Sequence, residues 1–208
     1  MGADINRWLV LGSGPNRIGW TEFAAAHECK IFAMNGSLAE CPQPDAYICT
    51  DHRFVEEYSR QSRNMTCLKY IGTDAAEKAC GSATINGLPV RNVGTWAVYM
   101  ALTLFKAEEV HVFGIYGVED KSWSTLSTAP GVHTVKADFN KSIEDALTAQ
   151  PIMPAETIFK WPHSADRYNV NAAELISFMR CAFPTVTITM HGGGPIAELI
   201  ANNEGAGI

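Results

Sequence analysis

Short apolar runs recur along the chain, and most of them end in glycine or small polar residues. The first, Trp8-Leu9-Val10-Leu11, is followed directly by Gly-Ser-Gly-Pro-Asn. A run that is apolar at every position is typical of a strand buried on both faces of a parallel sheet. The same pattern predicts further strands at residues 30–37, 46–51, 67–71, 110–116, 157–161 and 185–190.

Helical patterns alternate with these runs. Helices are predicted at 18–27 (with Thr21 as a cap), from 52, and at 94–105, 134–149, 171–181 and 195–202. The 94–105 segment is apolar all round, which predicts a buried helix, whereas 72–92 is expected to form loops and short pieces. Strands that alternate with helices predict an α/β sandwich around a mainly parallel sheet, with residues 1–208 as a single domain and a mobile loop at about 117–132.

The turn after the first run, residues 12–16, has the composition of an anion-binding turn. Its two glycines let the backbone turn sharply and a ligand approach closely, and Pro15 suits the first turn of a helix. A strand, a glycine turn and a helix start together aim backbone N–H groups at a phosphate. The third glycine of the dinucleotide-binding fingerprint is missing, so a tight connection without a ligand is the alternative.

Polar residues end several predicted strands, and ligands of parallel sheets bind at that edge. The strand-end set is Ser13, Asn16, Asn35, Ser37, Asp51, Tyr116 and His191. Its neutral donors suit a phosphate or a ribose, and Asp51 is the only clear strand-end carboxylate, so no metal site is predicted. His191, which precedes Gly192-Gly193-Gly194, either lines a second anion site at the last helix or belongs to a tight turn. His111, between two valines, is predicted to be packed or partnered within the sheet.

Composition narrows the function classes. The chain has 208 residues, 47% hydrophobic and 18% charged, with a net charge of −6, which argues against a general nucleic-acid binder. No apolar run approaches the roughly 20 residues that span a bilayer, and the first residues lack a signal-peptide pattern, so a cytoplasmic location is predicted. The six cysteines form no C-x-x-C pair and are interpreted as small buried thiols.

Two segments resemble the sialylmotifs of sialyltransferases. Residues 9–16, 31–37 and 44–51 are similar to the large sialylmotif, in which a strand and a glycine turn precede a strand that ends in asparagine. Bacterial members carry Gly-Asn-Gly-Pro-Ser in that turn, where this chain has Gly-Ser-Gly-Pro-Asn. Residues 94–115 resemble the small sialylmotif, in which a glycine opens a buried helix that runs on to a strand of the Val-x-Val-x-Gly type.

The resemblance implies a Rossmann-like three-layer fold and a metal-independent glycosyltransferase. Such an enzyme moves a sialic-acid-like sugar from a CMP-linked or other nucleotide-activated donor to an acceptor hydroxyl, with no cofactor besides that donor. The matching positions expected to bind the donor phosphate, ribose and nucleotide are Gly12, Ser13, Gly14, Asn35, Gly94 and Thr95. The strand-end residues that complete the predicted donor site are Asn16, Ser37 and Asp51.

The resemblance also implies a histidine general base after the loop that follows the small motif. His133 stands there, ahead of Asp138 and Glu144, and resembles the start of the family's His-x-x-x-x-Glu motif. A base of near-neutral pKa takes the proton of the acceptor hydroxyl and contributes about 10²–10⁴-fold in rate. Tyr116 is the candidate hydroxyl for the leaving phosphate, and His163, in a predicted loop beside Trp161, is the alternative base.

Departures from the family pattern keep other functions open. Ser13 replaces the usual asparagine of the glycine turn, and Asn92-Val93 replaces a Ser-Thr or Thr-Ser pair, so the likeness supports the scaffold more than the sugar. The first segment is similar to hydroxymethylpterin diphosphokinase-like proteins and motility accessory factors about as closely, which implies a pyrophosphate-transfer enzyme or another glycosyltransferase. A nucleotide-binding module without turnover is the third possibility. The acceptor, the nucleotide base and the oligomeric state stay open.

Overall fold

The protein is an α/β sandwich around a parallel sheet. A computed structural model describes residues 5–12, 14–50, 60, 62–81, 84–90, 92–117 and 162–205. The sheet strands are β1 (Arg7–Leu11), β2 (Lys30–Met34), β3 (Ala46–Cys49), β4 (Leu68–Ile71), β7 (Glu109–Phe113) and β8 (Thr187–Met190), and a separate antiparallel pair is β5 (Thr84–Ile85) and β6 (Leu88–Pro89). The six sheet strands are parallel and lie in the order β4-β3-β2-β1-β7-β8. The predicted fold class is therefore confirmed.

Five helices accompany the strands in the described part of the chain. They are α1 (Trp20–His27), α2 (Thr73–Cys80), α3 (Val93–Thr103), α4 (Pro162–Ala182) and α5 (Pro195–Gly205). Short 3-10 turns cover Pro15–Arg17, Asn35–Ala39 and Ser62–Asn64.

Alternation along β1 shows how the sheet is covered on both faces. Trp8 and Val10 belong to a large core that also contains buried residues of α3, α4 and α5. Leu9 and Leu11 point the other way, into a cluster with residues of α1 such as Phe23. Burying each of these leucines contributes about 1.5–3 kcal/mol, which favours a sheet enclosed between two helical layers.

Several predicted boundaries need correction. Thr21 does not cap α1: the helix begins at Trp20 after Gly19, whose φ is 84°, and the Thr21 hydroxyl donates to Glu22. Helix α2 lies where loops were predicted. Its residues are mostly small or polar and only Ala76 is buried, so the sequence shows no apolar pattern that would predict a helix. Helix α4 begins at Pro162, nine residues before the predicted start. Other predictions fall outside the described residues. They are the first part of the helix that was predicted to start at 52 (through residue 59), the loop beyond 117, the 134–149 helix and the 157–161 strand.

The strand order places a topological switch between β1 and β7. The chain builds outward from β1 to β4, returns to β7 on the opposite side of β1, and continues to β8. Because all six strands are parallel, their carboxyl ends share one edge of the sheet. Ligands of such sheets bind beyond this edge at the switch point, and the turns after β1, β2 and β8 lie there.

Candidate functional site

Glycines press the ends of β1 and β7 together. Gly12 donates its N–H to the Phe113 carbonyl and Gly14 donates to the Gly114 carbonyl, both at 2.8 Å. A Cβ on Gly14 would lie 2.7 Å from the Gly114 oxygen, and one on Gly12 or Gly114 would overlap the backbone of the other. These two N–H groups are therefore committed to the sheet, which corrects the expectation that they point at a phosphate. Ser13, between them, lies outside the described residues.

The head of α3 meets the same segment of the chain. A Cβ on Gly94 would lie 2.7 Å from Cγ1 of Ile115, the residue after Gly114. The Asn92 side chain caps the helix by accepting the Gly94 N–H at 2.6 Å, and the fully buried Thr95 hydroxyl donates to the Asn92 carbonyl at 2.7 Å. The glycine turn and the head of α3 thus contact adjacent residues, Gly114 and Ile115, and the Gly94 N–H and the Thr95 hydroxyl bond within the helix cap.

Asn16 links the glycine turn to the loop after β8. Its Nδ2 donates to the carbonyls of His191 (2.9 Å) and Gly193 (3.3 Å), which fixes the orientation of the side-chain amide. A Cβ on Gly192 would lie 2.7 Å from the Asn16 Cβ, so the loop packs closely here. The Asn16 Oδ1 is buried and has no hydrogen-bond partner among the described residues.

The turn after β2 presents a second such oxygen. Asn35 has a positive φ of 45°, and its carbonyl accepts the Tyr47 hydroxyl at 3.2 Å. The Asn35 Oδ1 is buried without a hydrogen-bond partner in the part of the chain that the structure describes. Ser37, by contrast, is occupied locally, because its Oγ accepts the Met34 N–H at 2.9 Å. Asn16 and Asn35 follow neighbouring strands, as predicted.

Tyr116 lies at the same edge, between the glycine turn and α5. A Cβ on Gly14 would lie 2.9 Å from the Tyr116 Cβ, and one on Gly194 would lie 2.5 Å from Cδ2 of the tyrosine ring. The Tyr116 carbonyl also accepts the N–H of Ile196, in the first turn of α5, at 3.3 Å. Tyr116 therefore joins the ends of β1 and β7 to the start of the last helix.

A buried arginine braces the glycine turn, and the sequence analysis missed it. Arg17 is 5% exposed, its Nη1 donates to the Gly14 carbonyl at 3.0 Å, and its guanidinium pairs with Glu40. Hydrogen bonds from Arg17 lower the pKa of Glu40. A basic residue three positions after the second glycine was the signal available, but its acidic partner lies 23 residues further along the chain.

Two histidines form a second feature that sequence reasoning did not assemble. His111 Nδ1 lies 3.1 Å from His191 Nε2, and His111 Nε2 lies 3.5 Å from Glu109 Oε2. Burial lowers the pKa of His111 against the opposing effect of Glu109, and burial together with the nearby histidines lowers the pKa of His191. The expectation that His111 is partnered within the sheet is confirmed. Its partner is the strand-end histidine of β8.

The remaining predicted residues lie outside the described part of the chain. These are Ser13, Asp51, His133 and the side chain of His163. The backbone of His163 lies in the first turn of α4, so this residue is helical and not part of the predicted loop.

Comparisons with known proteins add no relative. Searches against family models, curated proteins and solved structures return no match to this chain. Within the described residues, no helix combines the length and the apolar character needed to cross a membrane. The same residues contain no group of three or more His, Cys, Asp or Glu side chains placed to hold a metal ion.

Proposed function

We propose that the chain is a glycosyltransferase that takes a sialic-acid-like sugar from a CMP-linked or other nucleotide-activated donor and joins it to an acceptor hydroxyl. The observation that carries the proposal is the pair of buried amide oxygens, Asn16 Oδ1 and Asn35 Oδ1, that follow neighbouring strands at the switch-point edge without a hydrogen-bond partner among the described residues. A buried acceptor without a donor costs about 1–3 kcal/mol. A ligand rich in hydroxyl and amino groups removes that cost.

A nucleotide sugar has the donors that these oxygens require. The ribose carries two hydroxyls, cytosine carries an amino group and the sugar carries several more hydroxyls. The Asn16 amide cannot turn its Oδ1 toward another donor, because its Nδ2 donates to two backbone carbonyls that fix its orientation. The site therefore favours a ligand that donates hydrogen bonds at the ends of β1 and β2.

The donor phosphate is assigned to the start of α5. The N-terminus of a helix carries partial positive charge, and α5 begins at Pro195, directly after a glycine run in which Gly192 packs on Asn16 and Gly194 packs on Tyr116. Pro195 has no N–H and the Ile196 N–H donates to the Tyr116 carbonyl, so the assignment rests on the helix dipole and not on these N–H groups. Gly12 and Gly14 contribute close packing at this position, since their N–H groups bond to the end of β7. The Tyr116 hydroxyl is proposed to act on the leaving phosphate, and a histidine is proposed to take the acceptor proton.

Nucleotide binding to the purified full chain tests the proposal. Thermal shift and calorimetry with CMP, CDP, ATP and GTP, each with and without Mg²⁺, are expected to show preference for the cytidine nucleotides, because bound ligand raises the melting temperature. Preference for ATP or GTP with Mg²⁺ would favour the diphosphokinase-like alternative. Cytidine binding without CMP release from CMP-sialic acid would favour a binding module.

A matched pair of variants tests the site itself. Asn35→Gly removes the amide at a position with φ 45°, where glycine is well tolerated, and Asn86→Gly makes the same change at φ 51° in the distant β5–β6 turn. Loss of one neutral hydrogen bond of about 0.5–1.5 kcal/mol weakens CMP binding about 2- to 12-fold in Asn35→Gly. Asn86→Gly is expected to bind as the wild type does. Equal affinities in the two variants would remove Asn35 from the site.

A further inference from the structure

A row of hydrogen-bonded side chains crosses the α1 face of the sheet. Arg7 Nε donates to Glu109 Oε2, and the row continues through His111 to His191. The register explains the alignment: Arg7 pairs with Glu109, and His111 pairs with Thr189, two residues before His191. Residues two apart on a strand share a face, so all four side chains lie on one side of the sheet.

The hydrogen-bond chemistry of the row determines which ring nitrogens carry protons. An ionised carboxylate only accepts hydrogen bonds, so Glu109 requires the proton of His111 on Nε2. In a neutral ring the other nitrogen, His111 Nδ1, is then an acceptor, and its partner, His191 Nε2, must be the donor. The proton positions inferred from this network leave Nδ1 of His191 with an unshared electron pair.

The neutral state that this reasoning requires agrees with the surroundings. Burial lowers the pKa of both rings, and Arg7 holds the pKa of Glu109 low, so the carboxylate is ionised while the imidazoles are neutral near pH 7. Three other charged or titratable groups lie near the row: His27 at the end of α1, whose ring centroid lies 6.3 Å from that of His111, and Glu28 and Cys29, which act on Arg7.

Backbone and aromatic contacts hold the His191 ring at the ligand edge. Its ring stacks on Phe113 with centroids 4.2 Å apart and 7° between the planes, and Phe23 lies 4.6 Å away. The His191 N–H donates to the Val112 carbonyl, and the His191 carbonyl accepts from Asn16. The ring is half-buried and follows β8 directly. One nitrogen is thus fixed against His111, while Nδ1 makes no hydrogen bond within the described structure.

We propose that His191 Nδ1 is the atom that accepts the proton of the acceptor hydroxyl, with His111 and Glu109 as positioning residues. The proposal rests on the proposed glycosyltransferase function. As the O–H proton passes to Nδ1, the hydroxyl oxygen bonds to the anomeric carbon. The bond from that carbon to the phosphate oxygen breaks, and its electron pair leaves with CMP. The positive charge on the His191–His111 pair is stabilised by the Glu109 carboxylate.

Nuclear magnetic resonance tests the hydrogen-bonded series Glu109, His111 and His191, called the relay from here on, without any substrate. In the ¹⁵N-labelled full chain at pH 8, a scalar coupling across the hydrogen bond is expected between His191 Nε2–H and His111 Nδ1, and it should disappear in His111→Gln. A coupling that starts from a proton on His111 Nδ1 would place the protons the other way round. Either that result or the absence of any coupling would overturn the relay.

Release of CMP from CMP-sialic acid, with water as the acceptor, tests the catalytic role. His191→Gln is expected to lower kcat about 10²–10⁴-fold with unchanged affinity for CMP. His27→Gln changes a neighbouring exposed histidine that makes no side-chain hydrogen bond in the row. As the matched control it should retain full activity at the alkaline plateau, because its influence on His111 and His191 is electrostatic only. Melting temperatures of all variants verify that they are folded.

The pH profile separates a positioning role from a merely structural one. Glu109→Gln removes the charge that favours the protonated pair, so the acid limb of kcat/KM should move to lower pH and the maximal rate should fall. A lower rate without movement of the limb would make Glu109 structural only.

Failure of the relay and failure of the proposed function give different results. CMP release that survives His191→Gln and is lost in His133→Gln would overturn the assignment of His191 and keep the glycosyltransferase. Failure of every cytidine nucleotide to bind would overturn both proposals, whatever the magnetic resonance result.

Discussion

Gly114 occupies a position that only glycine tolerates, for two reasons. Its φ is 74°, a left-handed conformation, and a Cβ there would overlap the carbonyl of Gly12. The contact lets the hydrogen bonding between β1 and β7 continue through Gly14, beyond the last paired residues of the strands. A single missing Cβ therefore sets how closely the two central strands approach at the ligand edge.

Gly114→Ala tests this contact. Left-handed strain costs on the order of 1–3 kcal/mol and overpacking about 1–3 kcal/mol more, so the free energy of unfolding should fall by about 2–6 kcal/mol. Gly87→Ala is the matched control, because Gly87 has a φ of 73° with no atom within 4 Å of its would-be Cβ, and it should show the strain alone. Urea titration measures both. Equal losses would mean that the β1–β7 contact adds nothing.

At the scale of the element, α3 joins the core to the candidate site. Its residues 94–98 and 100–102 are all buried, so the helix is stabilised by packing on every side, and its first turn depends on one side chain. Asn92 is 5% exposed and supplies the only acceptor that the Gly94 N–H has among the described contacts.

Asn92→Ala is expected to lower the free energy of unfolding by about 1–3 kcal/mol, because it removes an N-cap and leaves a buried N–H without an acceptor. Asn92→Ser keeps a capping oxygen and should recover most of that loss. Urea unfolding followed by circular dichroism compares the two variants with the wild type. An alanine variant as stable as the serine variant would show that packing alone holds the start of α3.

Local patterns predicted some elements well and others poorly, for physical reasons. The β1, β3 and β7 runs and α3 are apolar enough for periodicity to identify them, and the parallel sheet follows from their alternation with helices. Helix α2, Thr-Asp-Ala-Ala-Glu-Lys-Ala-Cys, buries only Ala76 and has no side-chain cap at its start. The left-handed Gly81 at its end was the one capping signal in the sequence. The polar first turns of α4 hide its start in the same way.

The location of the candidate site could be predicted from the sequence, but the hydrogen-bond partners of its residues could not. The rule for parallel sheets led to the turns after β1, β2 and β8, where Asn16, Asn35 and His191 lie. The partners of Gly12 and Gly14 are Phe113 at the end of β7 and Gly114 directly after it, about a hundred residues away, and His191 meets His111 across 80 residues. Such pairs depend on strand order and register, which local sequence patterns do not specify.

For the molecule as a whole, β7 is the strand that contributes both to the hydrophobic core and to the residues of the proposed reaction. It lies between β1 and β8, its valines fill the core on one face, and its Glu109 and His111 form the relay on the other. Any condition that charges the relay therefore acts on two strand pairs of the sheet at once, and acidification is the simplest such condition.

The stability of the whole protein should therefore fall as the pH drops below about 6.5, the ordinary value for histidine. Burial lowers the folded-state pKa of His111 and His191, so between that value and the folded-state values the unfolded chain binds protons that the folded chain does not. Glu109 adds its own loss only below its ordinary value of 4.5. The net charge of −6 at pH 7 shrinks over the same range, which opposes the trend through weaker self-repulsion.

Urea unfolding at pH 7.5 and pH 5.5 separates these effects. The wild type is expected to unfold at a lower urea midpoint at pH 5.5 than at pH 7.5. The double variant His111→Gln/His191→Gln should lose most of that difference, because it lacks the two histidines whose pKa is lowered by folding. Thr187→Val, an exposed change on the same face of β8, is the control and should keep the wild-type difference. If the double variant retains the full difference in urea midpoint between the two pH values, the acid sensitivity arises outside the relay, and the neutral His111–His191 pair does not cause the loss of stability at low pH.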